Sequence, residues 1–282
     1  MLLKQTDLNA PPGTVNSMAG HSLAARPSLR VMQTRKGCFQ VNTLDSNHLT
    51  WVIHVSLCRA QTFMGCDANE EFKISTLEDP NGVFLYVREE TGCCTRFCLG
   101  SSRPFHMKMY NGKDQSATSG PVVTSFHRFC KLPIGSLKCC CYQELEILDR
   151  GTQPIGRVQE NCWLCVPAFN VYKPDGQAEY LISPPTCLGG ICVDICAEGC
   201  CNCRIPVYLY PPGSPSTDRN AKIGKIVKIW AGLGNELFTN AHTFEVEFPK
   251  EAAADSKARI LGGVLLVNEV FFQKDSNPGG GD

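Results

Sequence analysis

Glu144-Leu145-Glu146-Ile147-Leu148-Asp149-Arg150-Gly151-Thr152-Gln153-Pro154-Ile155-Gly156-Arg157-Val158-Gln159 holds two short runs on either side of a turn. Leu145 and Ile147 alternate with Glu144 and Glu146, and Asp149-Arg150-Gly151 supplies turn chemistry before residues 155–159 run back. Period-two alternation broken by a glycine-bearing turn predicts a β-hairpin.

The same pattern extends outward in both directions. Turns are signalled at Pro80-Asn81-Gly82, Asn111-Gly112 and Pro174-Asp175-Gly176. Between and beyond them, residues 83–87, 105–110, 169–172, 179–182, 205–210, 222–229 and 244–248 read as further strands. From Phe72 onward the chain carries about a dozen candidate strands and no βαβ spacing, which indicates an all-β sandwich or barrel. Residues 1–45 lack strand or helix periodicity and read as a poorly structured tail. Residues 46–273 form the folded domain, and 274–282 form a Gly-rich tail.

The end of the domain changes character. Helix formers in residues 251–259 lead into the nearly all-apolar run Ile260 to Phe272. A bilayer span wants about 20 apolar residues, and Asn268 and Glu269 interrupt this run early. It reads as a helix buried inside the β structure, with a bilayer-crossing helix as the alternative. Ile260, Leu261, Val264, Leu265, Glu269, Phe271 and Phe272 are its core or membrane-facing positions.

Composition narrows the function. Hydrophobic residues at 43% supply a core, and 27 basic against 27 acidic residues leave no basic excess for a dedicated nucleic-acid binder. The 18 cysteines are the anomaly. Cys93-Cys94, Cys139-Cys140-Cys141 and Cys200-Cys201 are immediate neighbours. Their Cα atoms stand about 3.8 Å apart, too close for a relaxed disulfide. The first residues show no apolar stretch of secretory type, so reduced thiols are expected. Metal, redox chemistry or lipid attachment are then the candidate roles.

Cys93-Cys94-Thr95-Arg96-Phe97-Cys98-Leu99-Gly100-Ser101-Ser102-Arg103-Pro104-Phe105 resembles the most distinctive stretch of the phospholipid scramblases. Further matches follow in order at Cys140-Cys141-Tyr142-Gln143-Glu144-Leu145-Glu146-Ile147, Pro154-Ile155-Gly156-Arg157-Val158, residues 224–232 and 236–241, and the closing helix. The resemblance covers about residues 50–273. It implies the tubby-like fold: mainly β, a closed twelve-stranded antiparallel barrel around one buried hydrophobic C-terminal helix.

The resemblance also implies site residues. Cys139, Cys140 and Cys141 match a palmitoylation cluster, and two or more acyl chains are what stable anchoring needs. Cys187, Cys192, Cys196, Cys200, Cys201 and Cys203, with Cys162 and Cys165 nearby, leave acylation, zinc and disulfides open. A calcium segment is expected at residues 240–251, carried by Asn240, His242, Glu245, Glu247 and Glu251. It is weakened because His242 stands where an aspartate is expected and Phe244 offers no side-chain oxygen. The alternation of Phe244, Val246 and Phe248 equally fits an edge strand with its glutamates outward. Lys225 and Lys228 follow an importin-read strip, or are solvated lysines on an exposed strand. The tail has Pro11-Pro12 but no PPxY motif.

Two functions fit. The resemblance implies calcium-activated, ATP-independent, bidirectional phospholipid movement, on the cytoplasmic face of the plasma membrane or, without palmitate, in the nucleus. A homo-oligomer is one route to such transport, because a closed barrel with its apolar helix inside offers no polar path through a bilayer. The alternative is a palmitate-anchored inner-leaflet adaptor without transport. No HExxH, GxSxG or phosphate loop points to an enzyme.

Overall fold

The computed structural model describes residues 23–34, 70–91, 104–129, 142–150, 152–162, 166–185, 204–214, 219–229 and 242–272. Twelve strands follow one another in the chain: β1 (Ser28–Thr34), β2 (Glu71–Ser75), β3 (Leu85–Glu89), β4 (Phe105–Asn111), β5 (Val122–Arg128) and β6 (Glu144–Asp149). The second half comprises β7 (Gln153–Glu160), β8 (Phe169–Tyr172), β9 (Ala178–Ser183), β10 (Arg204–Tyr210), β11 (Gly224–Ile229) and β12 (Thr243–Glu247). Each pairs antiparallel with its sequence neighbours, and β1 pairs with β12 to close the barrel. Closure leaves no unpaired edge for a second chain to extend.

Alternation decides which side chains face inward. Leu145 and Ile147 of β6 are fully buried while Glu144 and Glu146 are half-exposed, as the opening hairpin predicts. Phe244 and Val246 of β12 do the same.

The barrel is filled by one helix, α1 (Ala254–Val267), continued by a π-helical turn at Asn268–Phe272. Every residue from Ser256 to Val267 is buried, so the expectation of a helix enclosed by the β structure holds. Each of Ile260, Leu261, Val264, Leu265, Leu266 and Val267 gains about 1.5–3 kcal/mol on leaving water. Together they rival the net stability of a typical domain, about 5–15 kcal/mol. Gly262 and Gly263 let the helix approach the wall. A Cβ on Gly262 would stand 2.9 Å from Ile147 Cγ1, and one on Gly263 would stand 2.4 Å from Ile182 Cδ1.

The amino-terminal boundary needs correction. Ser28–Thr34, inside the stretch expected to be an unstructured tail, is the strand that closes the barrel. Leu29 and Val31 point inward and pair in register with Val246 and Phe244 of β12. Polar Arg30 and Gln33 thin the apolar signal in so short a strand, which conceals it until both neighbours are in place.

Candidate functional site

Sequential antiparallel strands place alternate connections at opposite rims. One rim carries the connections 76–84, 112–121, 150–152, 173–177 and 211–223, the entry to α1 and the chain leading into β1. At the other rim β1, β3, β5, β7, β9 and β11 end, together with the central helix. The two helix ends are held by different chemistry.

At the entry, Lys257 Nζ donates to the carbonyl oxygens of Leu23 (3.0 Å), Ala24 (2.8 Å) and Arg26 (2.8 Å). Burial holds this ammonium below the usual lysine range. Arg259 Nε donates to Glu179 Oε2 at 2.7 Å, and its Nη1 donates to the Ile155 carbonyl at 2.7 Å. Gly156, at φ +151, makes room for this arginine, since a Cβ there would lie 2.4 Å from Arg259 Cδ and from the Tyr172 carbonyl oxygen.

At the far end, Glu269 is buried on the π-helical turn with Arg128 Nη1 3.5 Å from its Oε2. Arg128 also donates from Nε (3.0 Å) and Nη2 (2.8 Å) to Gln143 Oε1. Gln143 N–H donates in turn to Glu160 Oε2 at 3.0 Å. Asn268, fully buried, has no hydrogen-bond partner for either amide atom among the described residues. A layer of polar side chains thus closes the apolar interior at this rim. The sequence flags Glu269 as an interruption of an apolar run but does not point to Arg128, which lies 141 positions away by numbering (269 − 128). A carboxylate in an apolar helix does call for a buried cation somewhere.

The expected calcium segment is a strand of the wall, and Asn240 lies outside the described residues. Glu245 accepts from Arg30 Nη2 at 2.7 Å on one oxygen and from Arg204 Nη2 on the other. His242 is buried, and its backbone exchanges hydrogen bonds with Gln33 across β1. Glu247 and Glu251 are exposed, the first opposite Lys225 in register and the second beyond the turn after β12. Calcium takes six to eight convergent oxygens, and these side chains do not fit such a cage. Among the described residues no three His, Cys, Asp or Glu side chains come together as a metal site.

Lys225 and Lys228 fall on opposite faces of β11. Lys228 shares the inner face with Ile226 and is buried, in register with Phe244, while Lys225 lies near the Tyr208 ring outside. The expected continuous lysine strip is therefore divided by strand geometry. Cys139, Cys140, Cys141, Cys165 and the cysteines from Cys187 to Cys203 lie outside the described residues, whereas Cys162 is a free, exposed thiol. Phe271 and Phe272 end the π-helical turn.

Among the described residues no helix is long and apolar enough to cross a membrane. The chain is 30% identical over 226 residues to phospholipid scramblase 2 of Bos taurus, covering 79% of this chain and 68% of that protein. It is 28% identical to phospholipid scramblase 1 of Mus musculus over 228 residues (80% of this chain, 62% of that protein). Phospholipid scramblase 1 of Homo sapiens is likewise 28% identical, over 225 residues (79% and 62%). No solved structure gives a significant match. The family model described as Scramblase matches residues 32–274, from inside the first strand to just beyond the helix, and the chain belongs to that family.

Proposed function

We propose that this protein is a phospholipid scramblase, a lipid translocator without bond chemistry of its own, acting from the cytoplasmic face of the plasma membrane. A charged headgroup does not cross about 30 Å of hydrocarbon unaided, because stripping its water costs many kcal/mol. Lowering that barrier in both directions needs no ATP and collapses leaflet asymmetry. The observation that carries this reading is the family match running through the whole barrel, residues 32–274. Palmitoyl groups at Cys139, Cys140 and Cys141 hold the protein to the leaflet. In each case a thiolate attacks the thioester carbonyl of an acyl-coenzyme A, and the coenzyme A thiolate leaves. Calcium control belongs to the same reading, but it does not run through residues 242–251, whose arrangement does not fit the ion.

The adaptor reading has one specific observation in its favour. The apolar helix is enclosed by the barrel, so the fold reaches its full burial without lipid. One reconstitution separates the two. Acylated protein in vesicles with labelled lipid in one leaflet equalises the leaflets on calcium addition if it is a scramblase. Unchanged asymmetry, with the protein bound to the vesicles, establishes the adaptor.

A further inference from the structure

The outer face of the wall carries a pair of imidazoles that the lipid reading leaves unused. Fully buried Met107 and Phe126 pair in register inside the barrel, which turns their neighbours His106 and His127 outward, directly opposite each other on β4 and β5. The two rings lie with centroids 5.7 Å apart and are tilted by 57°. Both side chains are half-buried, and the Phe129 ring packs 4.7 Å from that of His127. Nε2 of His106 is sealed from water and has no hydrogen-bond partner among the described residues, so its desolvation is uncompensated. Carboxylates flank the pair. Glu146 of β6 is in register with His127, and Glu90, whose N–H donates to the His106 carbonyl, holds Lys108 at 2.7 Å.

We infer that His106 and His127 form a two-imidazole clip for a divalent transition-metal ion of the nickel, copper and zinc class, bound on the outside of the barrel between β4 and β5. Imidazole suits these ions, whereas calcium and magnesium take oxygen ligands. Ring nitrogens about 2.0–2.1 Å from a tetrahedral ion put the two ring centroids about 5 Å apart. A small rotation of either side chain from the observed 5.7 Å reaches that geometry, and the ion then supplies the partner that His106 Nε2 lacks. A metal takes the neutral ring, and burial, with help from Lys108 and His127, holds His106 below the usual histidine range. The paired strands already fix both backbones, so binding has little order to impose. The flanking carboxylates favour a dication, and the Lys108 ammonium that opposes it is taken up by Glu90. Glu146 does not converge with the rings as a third ligand, so water completes the coordination sphere. The clip and the lipid reading do not depend on each other.

The test uses the full-length protein with isotope-labelled histidine and nickel ions alone, because thiolates compete less well for nickel than for zinc. Paramagnetic nickel broadens the resonances of the rings that bind it. Those of His106 and His127 are expected to broaden together at substoichiometric nickel, while calcium leaves both sharp. The second ring binds as an intramolecular event, so its loss is expected to weaken the site about tenfold or more. In His106→Gln the His127 resonance should therefore stay sharp at the nickel concentration that broadens it in the parent, and His127→Gln should protect His106 likewise. If either variant fails to fold, the resonances of the unmodified chain decide alone. Sharp His106 and His127 resonances in the parent under nickel overturn the clip. A His127 resonance that broadens as readily in His106→Gln as in the parent overturns it as well, because a single histidine then suffices.

Discussion

Arg128 Nη1 lies 3.5 Å from Glu269 Oε2, with both side chains sealed from solvent, one on the wall strand β5 and the other on the last turn of the central helix. The pair fastens the helix end to the barrel at the rim where the chain leaves it. Removing one partner leaves a buried charge uncompensated, at a cost of about 3–5 kcal/mol. Replacing both by apolar groups of similar volume removes that penalty. Glu269→Ala is therefore expected to lower stability by about 3–5 kcal/mol in urea unfolding, and Arg128→Met/Glu269→Leu to recover much of the loss. A double variant as unstable as the single one would show that the surrounding polar layer, rather than this pair, holds the helix end.

Gly156 of β7 is packed between the Arg259 side chain of the helix and the Tyr172 carbonyl of β8. Its φ of +151 suits glycine, and a methyl group would meet the Tyr172 carbonyl oxygen at 2.4 Å as well as the Arg259 side chain. Arg259 can swing aside, but a backbone carbonyl held in the β7–β8 ladder cannot. Gly156→Ala is expected to cost more than the ~1–3 kcal/mol typical of an overfilled core, because backbone strain adds to the clash. Trimming the arginine, in Gly156→Ala/Arg259→Ala, should not rescue it. A thermal melt within a degree or two of the parent would contradict the close approach.

The barrel's strands were readable in the sequence to the extent that one face is apolar and the other wet. β6 and β12 alternate cleanly and were legible from Leu145, Ile147, Phe244 and Val246 alone. β5 was not, because Thr124 and Ser125 are buried beside Val123 and Phe126 and the strand ends in the buried Arg128. Arg128 serves a layer that forms only once the helix is inside, so no local pattern announces it. The same holds for Lys257, whose partners are three carbonyls of a segment some 230 positions away. The glutamates of β12 were visible as a face, but the two arginines that pair with Glu245 come from β1 and β10. Family resemblance pointed to an ion where closure of the barrel supplies guanidinium groups.

His106 and His127 stand directly opposite each other on β4 and β5, ring centroids 5.7 Å apart. Burial, Lys108 and His127 together lower the pKa of His106, against a weaker pull upward from Glu90. On the far side, His127 faces Glu146 in register, and Lys108 holds Glu90 at 2.7 Å. The native state thus favours neutral His106, while the unfolded chain takes a proton at the ordinary histidine value of about 6.5. Its contribution to stability is complete above that value and is lost as pH falls through the lowered native pKa. Stability measured by urea unfolding should therefore drop from pH 7.5 to pH 5.5 by more in the parent than in His106→Gln. Equal losses in the two proteins would place the acid sensitivity elsewhere.

Glu245 is claimed by two arginines, and this decides between a structural and an ion-binding role for β12. Arg30 and Arg204 are part-exposed, so each ion pair is worth about 0.2–1 kcal/mol after solvent screening. Glu245→Gln should lower the urea midpoint by a corresponding small amount, less so at high salt, where exposed pairs are screened. The larger consequence concerns calcium. A carboxylate neutralised by two guanidinium groups is a poor ligand, and Glu247 and Glu251 do not converge with it. Calorimetric titration with calcium should give the same heats for the parent and for Glu245→Gln/Glu247→Gln/Glu251→Gln, and any calcium dependence of lipid exchange should survive in the triple variant. Heats present in the parent and absent from the variant would return the ion to this strand and would require Arg30 and Arg204 to release Glu245 on binding.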